Sequence, residues 1–408
     1  MVKRKFALIM AVIFAFSLIL TACGGGSAAA GGGGASAATG ASVKQDNSPV
    51  KIGFLGNLAG SDAYIGLASK MALEDYIKEL NDKGGLLGRK IELITYDYSN
   101  DAATESVNAA NRLVNQDKVV AILGPSGSIA AVPIAPIVDA AKVPCITTSA
   151  TNIKVTIDES GKVHPYMFRV CFIDPYQGTA LADFAYKDLG IKKVASIAAI
   201  ADPYGQGILQ YFKEQFTKLG GTVVAELGYQ LKDVEFRAQI SEAANKGAEA
   251  LIVPASAYKD AAMIAKQATA LGLKFQYLFP DGVYASELLD VAGTELEGAY
   301  ISNGITEDDP ALNEYKKQFA EKHPGQSANI YVAYTLDAMK LLEAAVNKAG
   351  SFDPVAIRDA VESSTDVQCF SDKLTMEPET HNPHNKTVSI LKITGKKYEL
   401  YKTYKPEN

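Results

Sequence analysis

The sequence has few cysteines and few histidines, and this scarcity excludes several classes of protein. Four cysteines among 408 residues are too few for a fold held together by disulfides. Two of the four histidines, His164 and His323, each precede a proline, and the others lie three apart in His381-Asn382-Pro383-His384. Such positions indicate loops, suggest no Ser-His-acid arrangement and rarely complete a metal site. We therefore predict no catalytic residue and no metal site.

Short motifs of nucleotide-dependent and metal-dependent enzymes are also missing. No Gly-x-Gly-x-x-Gly follows a strand, and the sequence has no Walker loop, His-Glu-x-x-His or Cys-x-x-Cys. The 46 acidic residues outnumber the 40 basic ones, whereas nucleic-acid binding requires a clustered basic face. We predict no cofactor and no nucleic-acid partner. An extracytoplasmic α/β enzyme stays open as an alternative, because doubly wound folds host many activities.

The N-terminus has the three parts of a secretory signal peptide. Lys3-Arg4-Lys5 precede fifteen residues, Phe6 to Leu20, that are apolar except Ser17. This run is shorter than the ~20 residues that a membrane-spanning helix requires. A cysteine after the small-residue cleavage site Leu20-Thr21-Ala22 resembles the bacterial lipobox. The resemblance implies cleavage after Ala22 and a lipid on Cys23.

This interpretation places the protein outside the cytoplasm, lipid-anchored to the bacterial cell membrane. Residues 1–22 are the predicted lipoprotein signal peptide, and residues 23–49 begin with the lipidated Cys23 and form a Gly/Ala/Ser-rich tether. Removal of the signal peptide takes three of the 40 basic residues and none of the 46 acidic ones, which leaves a net charge of −9. That charge favours solubility.

From Val50 onward, strand patterns alternate with helix patterns. Continuous apolar runs predict buried strands, and apolar residues at helical spacing predict helices. The predicted strands are 50–55, 91–96, 119–123, 143–147, 193–199, 222–227, 250–254, 276–279 and 299–302. The predicted helices are 65–80, 102–115, 129–141, 177–189, 208–219, 236–246, 259–271, 310–322, 330–349 and 354–363.

Two lobes are the natural packing of these elements. Alternating strands and helices imply parallel sheets with right-handed crossovers, and the length from Val50 to Asn408 exceeds what one core organises. Two last runs, Thr387 to Ile393 and Tyr398 to Tyr404, alternate like antiparallel strands around Gly395-Lys396. We predict an α/β fold with two doubly wound parallel-sheet lobes.

Small and polar residues follow several of the predicted strands, where open α/β sheets bind ligands. Ser128 begins a predicted helix, as either an anion-binding residue or an N-cap. The loop containing Ser149, Ala150 and Thr151 offers hydroxyls and backbone groups to a carboxylate or an ammonium, or is an ordinary polar loop. Asp281 offers a carboxylate to a ligand ammonium or belongs to a Pro-Asp-Gly turn.

Two aromatic residues end further strands of the second predicted series. Tyr204 and Tyr258 each follow a strand, where an aromatic ring can cover a ligand or simply lie on the rim. Cys145 sits in the apolar run Val143 to Ile146 and is interpreted as a small buried residue.

An ordered set of segments resembles the branched-chain amino-acid (leucine/isoleucine/valine) binding proteins, the extracytoplasmic receptors of ABC importers. The resemblance runs from Val50 to about Tyr404. Its strongest segments are Ile52-Gly53 with Gly60 and Gly66, Asn81 to Lys90, Val119 to Pro125, Ile146 to Thr151, Tyr166 to Val170, Asp174 to Gly178, Tyr204 to Gly207 and Ile264 to Ala268. Each is weak alone, and the order makes the set specific.

Membership implies the type I periplasmic-binding fold, in which two lobes are joined by a three-stranded hinge. By resemblance the chain crosses between lobes near Cys171, Asn303 and Met376. Residues 50–171 with 303–376 would form the N-terminal lobe, and residues 172–302 with 377–408 the C-terminal lobe. Cys171 and Cys369 both lie near crossings, so a bridge between them is one alternative; the other is free thiols.

The resemblance also implies a role for each site residue. Ser128, Ser149, Ala150 and Thr151 would bind the α-carboxylate of an amino acid, and the Ser149 carbonyl, the Thr151 hydroxyl and Asp281 would bind its ammonium. Tyr204 and Tyr258 would close over the ligand from the second lobe. Many relatives have an aromatic residue just before the Gly66 position; here Ile65 stands there with Tyr64 one place earlier, and both are expected to shape the side-chain pocket.

These implications give a binding protein rather than an enzyme. We expect a monomeric lipoprotein that captures an amino acid, most simply a branched-chain or aliphatic one, and docks on ABC-transporter permease subunits. A ligand-sensing ectodomain for another small solute, such as an amide, urea or a small acid, stays open as an alternative.

Overall fold

Two sheets flanked by helices organise residues 48–304, 310–384 and 386–405, which this computed structural model describes. These residues belong to one structural unit, Asn47–Asn408. The predicted signal peptide, Cys23 and almost all of the predicted tether lie outside the described residues. Within the described chain, no helix combines the length and apolar character required to cross a membrane.

The first sheet is wholly parallel, in the strand order β2-β1-β3-β4-β5. Its strands β3 and β4 consist of three buried residues each, so both of their faces are covered. The strands are β1 Val50–Gly56, β2 Ile91–Asp97, β3 Ala121–Leu123, β4 Cys145–Thr147 and β5 Met167–Arg169.

The second sheet has the order β14-β13-β10-β9-β8-β6-β7 and is parallel from β10 to β7. Strands β13 and β14 are antiparallel, as predicted, and Gly395 and Lys396 both have positive φ in the turn between them. The strands are β6 Lys193–Ala199, β7 Thr222–Tyr229, β8 Ala250–Ile252, β9 Gln276–Phe279, β10 Tyr300–Asn303, β13 Val388–Thr394 and β14 Lys397–Tyr404.

Twelve α-helices among the described residues cover these sheets. Helix α11 is the most buried, packs on α1 and α12, and contacts β3 and β4 of the first sheet. The helices are α1 Ala63–Asp82, α2 Ala102–Arg112, α3 Ser128–Ala131, α4 Ala135–Ala141, α5 Asp174–Asp183, α6 Pro203–Lys218, α7 Arg237–Asn245, α8 Tyr258–Ala270, α9 Ser286–Ala292, α10 Pro310–Lys322, α11 Ile330–Ala349 and α12 Pro354–Glu362.

The chain passes between the two sheets three times. It leaves the first sheet after β5 and enters the second through α5, which packs on α6, β10 and β13. After β10 it returns to α10–α12, and after the small hairpin of β11 Val367–Gln368 and β12 Lys373–Leu374 it goes back to β13. Neither sheet is therefore covered by one continuous stretch of sequence.

The single helix predicted for 129–141 is wrong. The structure has α3, a 3-10 turn at Val132–Ile134, and then α4. Pro133 and Pro136 have no backbone N–H to donate, so a continuous α-helical hydrogen-bond ladder is impossible there. Strand β5 and the β11–β12 hairpin were not predicted.

The three cysteines in the described residues are free and buried, so Cys171 and Cys369 form no bridge. The Cys145 thiol donates to the Gly124 carbonyl at 3.1 Å, in keeping with its interpretation as a small buried residue. Burial raises the pKa of the Cys171 thiol to about 12.

Candidate ligand-binding site

A buried arginine fixes the loop after β4 through hydrogen bonds to its backbone. Arg169, the last residue of β5, is fully buried, and its guanidinium donates to the Ala150 carbonyl at 2.7 Å and to the Asn152 carbonyl at 2.8 Å. It also donates to the Thr156 hydroxyl at 3.0 Å. Charge-assisted hydrogen bonds to carbonyls on either side of Thr151 fix the backbone that presents it.

Ser128 ties the start of α3 to this same loop. Gly127 is the N-cap of α3, and the Ser128 hydroxyl accepts the Asn152 N–H at 3.2 Å instead of capping its own helix. Ser149 donates from its hydroxyl to the Ser126 carbonyl at 3.0 Å. The loops after β3 and β4 therefore form one hydrogen-bonded surface of the first lobe.

Thr151 and Asp174 meet where the first lobe gives way to the second. The Asp174 N–H donates to the Thr151 carbonyl at 3.0 Å. Within the described part of the chain, the Thr151 hydroxyl and both carboxylate oxygens of Asp174 are buried without a hydrogen-bond partner. Burial raises the pKa of Asp174 to about 8, although the adjacent Thr151 hydroxyl and, to a smaller extent, the charge of Arg169 lower it.

Asp281 is presented by a turn directly after β9. Its carboxylate accepts the Tyr204 hydroxyl at 2.8 Å and the Gln177 amide at 2.7 Å, and its own N–H donates to the Gln177 side-chain oxygen at 3.1 Å. Ser302 donates to that same Gln177 oxygen at 2.8 Å. Burial raises the pKa of Asp281 to about 6, although the two side-chain donors favour its ionised form.

Tyr204 therefore holds the Asp281 turn from within the second lobe. Its hydroxyl accepts the Gly282 N–H at 2.6 Å while donating to Asp281. A Cβ on Gly282 would lie 2.6 Å from the Ala255 carbonyl oxygen and 2.8 Å from the Tyr204 ring. Glycine at 282 is thus required for the tyrosine to approach the turn so closely.

The two lobes touch at Asn152 and the start of α6. The Asn152 side-chain amide donates to the Pro203 carbonyl at 2.7 Å. A Cβ on Gly207, one turn further along α6, would collide with this amide and with the Asp174 carboxylate. Only a hydrogen side chain at 207 allows the lobes to pack this closely.

Tyr64 and Tyr258 bring aromatic rings together across the seam. The ring of Tyr64 on α1 packs edge-to-face with the ring of Tyr258 on α8, with centroids 5.3 Å apart. It packs in the same way with the ring of Tyr331 on α11, at 5.9 Å. Asn329, the N-cap of α11, donates to the Tyr64 carbonyl at 2.8 Å. Ile65 lies in the apolar core instead, so Tyr64 is the residue of this pair whose ring faces the second lobe.

The site residues suggested by the sequence thus fall into a first-lobe group and a second-lobe group that approach each other. Ser128, Ser149, Ala150 and Thr151 belong to the first, and Tyr204, Tyr258 and Asp281 to the second. Sequence reasoning missed the residues that support or join them: Asn152, Arg169, Asp174, Gln177 and Tyr331. Asp174 and Gln177 stood in a family-like segment, but an acid beside Pro175 also suits an ordinary helix start.

The histidines have structural partners elsewhere. His381 is buried, stacks on Phe168 with centroids 4.1 Å apart, and bonds the Met167 carbonyl at 2.9 Å and Glu362 at 3.1 Å. His384 pairs with Glu377 at 2.8 Å instead. Among the described residues, no three His, Cys, Asp or Glu side chains are grouped so as to hold a metal ion.

A family model described as periplasmic binding protein matches residues 49–397 of this chain. The chain belongs to this family. An amino acid binding protein of Pseudomonas aeruginosa is 31% identical over 318 residues, covering 77% of this chain and 82% of the relative. A Leu/Ile/Val-binding protein homolog of Brucella abortus is 29% identical over 308 residues, covering 75% and 80%.

Solved structures of periplasmic binding proteins share the fold. The leucine-binding protein LivK of Thermotoga maritima superposes with a TM-score of 0.79 at 29% identity, covering 88% of this chain and 99% of that one. The branched-chain amino acid binding protein LivJ of Streptococcus pneumoniae, in complex with isoleucine, gives 0.77 at 25% identity, covering 88% and 100%. The two-lobed type I periplasmic-binding fold expected from the sequence is therefore confirmed.

Proposed function

We propose that this periplasmic binding protein captures an amino acid between its two lobes and delivers it to the permease of an ABC importer, anchored to the membrane by a lipid on Cys23. One observation carries the proposal. Where the two lobes meet, the first lobe presents hydroxyl groups, which suit the carboxylate of a zwitterion. The second lobe presents buried carboxyls there, which suit its ammonium.

The first lobe offers the groups that suit the α-carboxylate. Ser128 and Thr151 present hydroxyls from neighbouring loops, and the Arg169 contacts keep the second loop in place. The Thr151 hydroxyl is buried beside the Asp174 carboxyl, where a ligand oxygen could accept a hydrogen bond from it.

The acids suit the α-ammonium. Asp281 and Asp174 are both buried, and repulsion from the Asp281 carboxylate adds to the effect of burial in raising the pKa of Asp174. An ammonium between them would offset burial and restore their charged forms. A purely anionic ligand would instead meet two acids, which is unfavourable.

The aromatic residues and the relatives favour an aliphatic side chain. Tyr64, Tyr258 and Tyr331 form a cluster of three aromatic rings where α1, α8 and α11 meet, and rings pack well on branched aliphatic groups. Relatives named for leucine, isoleucine and valine support the same choice. Ligand-driven closure follows because the proposed contacts come from both lobes.

A thermal-shift and calorimetry screen of the purified protein tests this function. The compounds are the proteinogenic amino acids, urea, short amides and aromatic acids. Stabilisation by leucine, isoleucine or valine, lost in Asp281→Ala with its fold intact, is the expected result. Stabilisation only by compounds without an α-ammonium, or unchanged affinity in Asp281→Ala, would refute the assignment of Asp281.

Delivery is tested separately, with candidate ABC permease and ATPase subunits from the source organism reconstituted in liposomes. The protein loaded with its stabilising amino acid should stimulate ATP hydrolysis and uptake of that amino acid. A well-bound ligand that produces neither response would favour the sensing ectodomain.

A further inference from the structure

A tight turn of the second lobe presents one lysine toward the first lobe. The turn Gln230–Asp233 is closed by two hydrogen bonds, from the Asp233 N–H to the Gln230 carbonyl at 3.0 Å and from the Gln230 N–H to the Asp233 carboxylate at 2.7 Å. Lys232 occupies it with φ of 75°, a left-handed conformation that favours glycine. The turn therefore accepts backbone strain at the position that carries the long cationic side chain.

The Lys232 ammonium reaches the loop between β2 and α2. Its Nζ donates to the Asn100 carbonyl at 3.1 Å. Asn100 is itself held by Glu105, which accepts the Asn100 N–H at 3.0 Å and its side-chain amide at 3.3 Å. The receiving carbonyl thus belongs to a fixed loop rather than to a free one.

Acidic side chains surround that carbonyl. Asp101 caps α2 by accepting the Thr104 N–H at 3.2 Å, and Glu105 lies in the first turn of the same helix. Thr104 and, more weakly, the Lys232 charge lower the pKa of Asp101. The lysine therefore meets both a hydrogen-bond acceptor and a negative field.

We propose that Lys232 is a latch that holds the outer edge of the seam closed. It joins the lobes by a contact made only by the protein, at the rim rather than among the groups proposed to bind ligand. Because the pair is exposed, it shifts the open–closed equilibrium modestly, by about two- to five-fold, and salt screens it.

Amide hydrogen exchange of the full-length protein without added ligand tests the latch. The reporting peptide covers 149–156, in which the Asn152 side chain bridges the lobes. The reference amide is Ile122 in the core of the first sheet, bonded to the Pro144 carbonyl. Lys232→Met removes the ammonium and keeps the side-chain stem. Lys246→Met is the matched control, at an exposed lysine that ends α7 on the same lobe.

In low salt (about 10 mM), Lys232→Met should raise exchange at 149–156 about two- to five-fold and leave Ile122 unchanged; at about 0.5 M salt the difference should vanish. Lys246→Met should match the parent protein. Lys232→Gly, which relieves the positive φ, should exchange as fast as Lys232→Met. Three results would overturn the proposal. The first is equal exchange in Lys232→Met and the parent protein, and the second is an equal rise at Ile122 or in Lys246→Met. The third is slower exchange in Lys232→Gly than in Lys232→Met. None of these readouts requires the ligand, so the latch and the proposed function can fail separately.

Discussion

The Tyr204 hydroxyl donates to the Asp281 carboxylate at 2.8 Å and, through its lone pair, accepts the N–H of the very next residue, Gly282, at 2.6 Å. One phenol thereby fixes both the side chain and the backbone of the proposed ammonium-binding turn. Hydrogen bonds to a charged group contribute about 1.5–3 kcal/mol each.

Tyr204→Phe should weaken amino-acid binding by about tenfold or more, because Asp281 loses a donor that favours its ionised form. Isothermal titration calorimetry with the amino acid that stabilises the parent protein measures the change. Tyr258→Phe is the control, since Tyr258 contacts Tyr64 through its ring, which the substitution keeps. Equal losses in the two variants would show that the Tyr204 hydroxyl has no special role.

Asp174→Asn should separate ligand binding from stability. The free protein should become more stable to thermal unfolding, because a neutral amide replaces a carboxyl whose ionised form is strongly disfavoured by burial. Amino-acid affinity should fall at least about tenfold, since one of two acids facing the ammonium is lost. The melting temperature measures the change in stability, and calorimetry measures the change in affinity. A less stable free protein would mean that the carboxyl has a structural role.

Affinity for an amino acid should rise with pH between about 5 and 8. Burial raises the pKa of Asp281 to about 6 and that of Asp174 to about 8, so each acid must lose its proton to pair with an ammonium. The rise should approach about tenfold per pH unit where one group titrates. Ligand binding should therefore release protons, which calorimetry in two buffers of different ionisation enthalpy detects. Asp174→Asn should reduce the number of protons released.

Stability of the ligand-free protein should change with pH in the opposite sense. Both folded-state pKa values lie above the unfolded value of 3.8, so the native state binds more protons than the unfolded chain in this window. The contribution of these acids to the free energy of unfolding is fully present below about pH 4 and is lost as the pH rises through 6 to 8. Urea unfolding of the parent protein and of Asp174→Asn at several pH values isolates this effect.

Gly207→Ala should prevent closure and also disturb the packing of α6 on the start of α5. The added Cβ would collide with the Asn152 amide of the first lobe and with the Asp174 carboxylate, which begins α5 of the same lobe as Gly207. We expect at least about a hundredfold loss of affinity, since overlap in a packed contact costs several kcal/mol, and a larger radius of gyration by solution scattering. Gly127→Ala is the matched control, because its Cβ would meet only Ile129 at 3.9 Å.

Lipid attachment is tested on the segment outside the described residues. Cells expressing the parent protein should retain it in the membrane fraction, and Cys23→Ala should release it or leave the precursor uncleaved. Mass spectrometry of the N-terminal peptide should show an acylated Cys23. An intact N-terminus beginning at Met1 in the parent protein would contradict the predicted cleavage.

The fold was largely predictable because its strands are continuous apolar runs. Val50–Gly56, which is almost wholly buried, and Ile91–Asp97, at the edge of the same sheet, were both predicted to within one residue. Strand β5 was missed because it is three residues long and ends in Arg169. Burial of that charge depends on carbonyls of the 149–152 loop, which no local pattern reveals.

The candidate site was predictable only in part, for a similar reason. Ser128 and Asp281 stand directly after strands, where position alone favours a binding role. Asp174 begins a helix and Gln177 lies one turn later, so both match ordinary helix chemistry. Their importance depends on contacts 104 residues away, between Gln177 and Asp281, that appear only in the folded chain.

The three passages of the chain between sheets have a consequence for biogenesis. Helix α11 covers the first sheet and contacts α1, yet Ile330 follows Asp82 by more than two hundred residues. Strands β13 and β14 complete the second sheet still later. A nascent chain therefore cannot finish either lobe until its last quarter has left the ribosome. Each lobe can therefore fold fully only when segments that are distant in the sequence are present together.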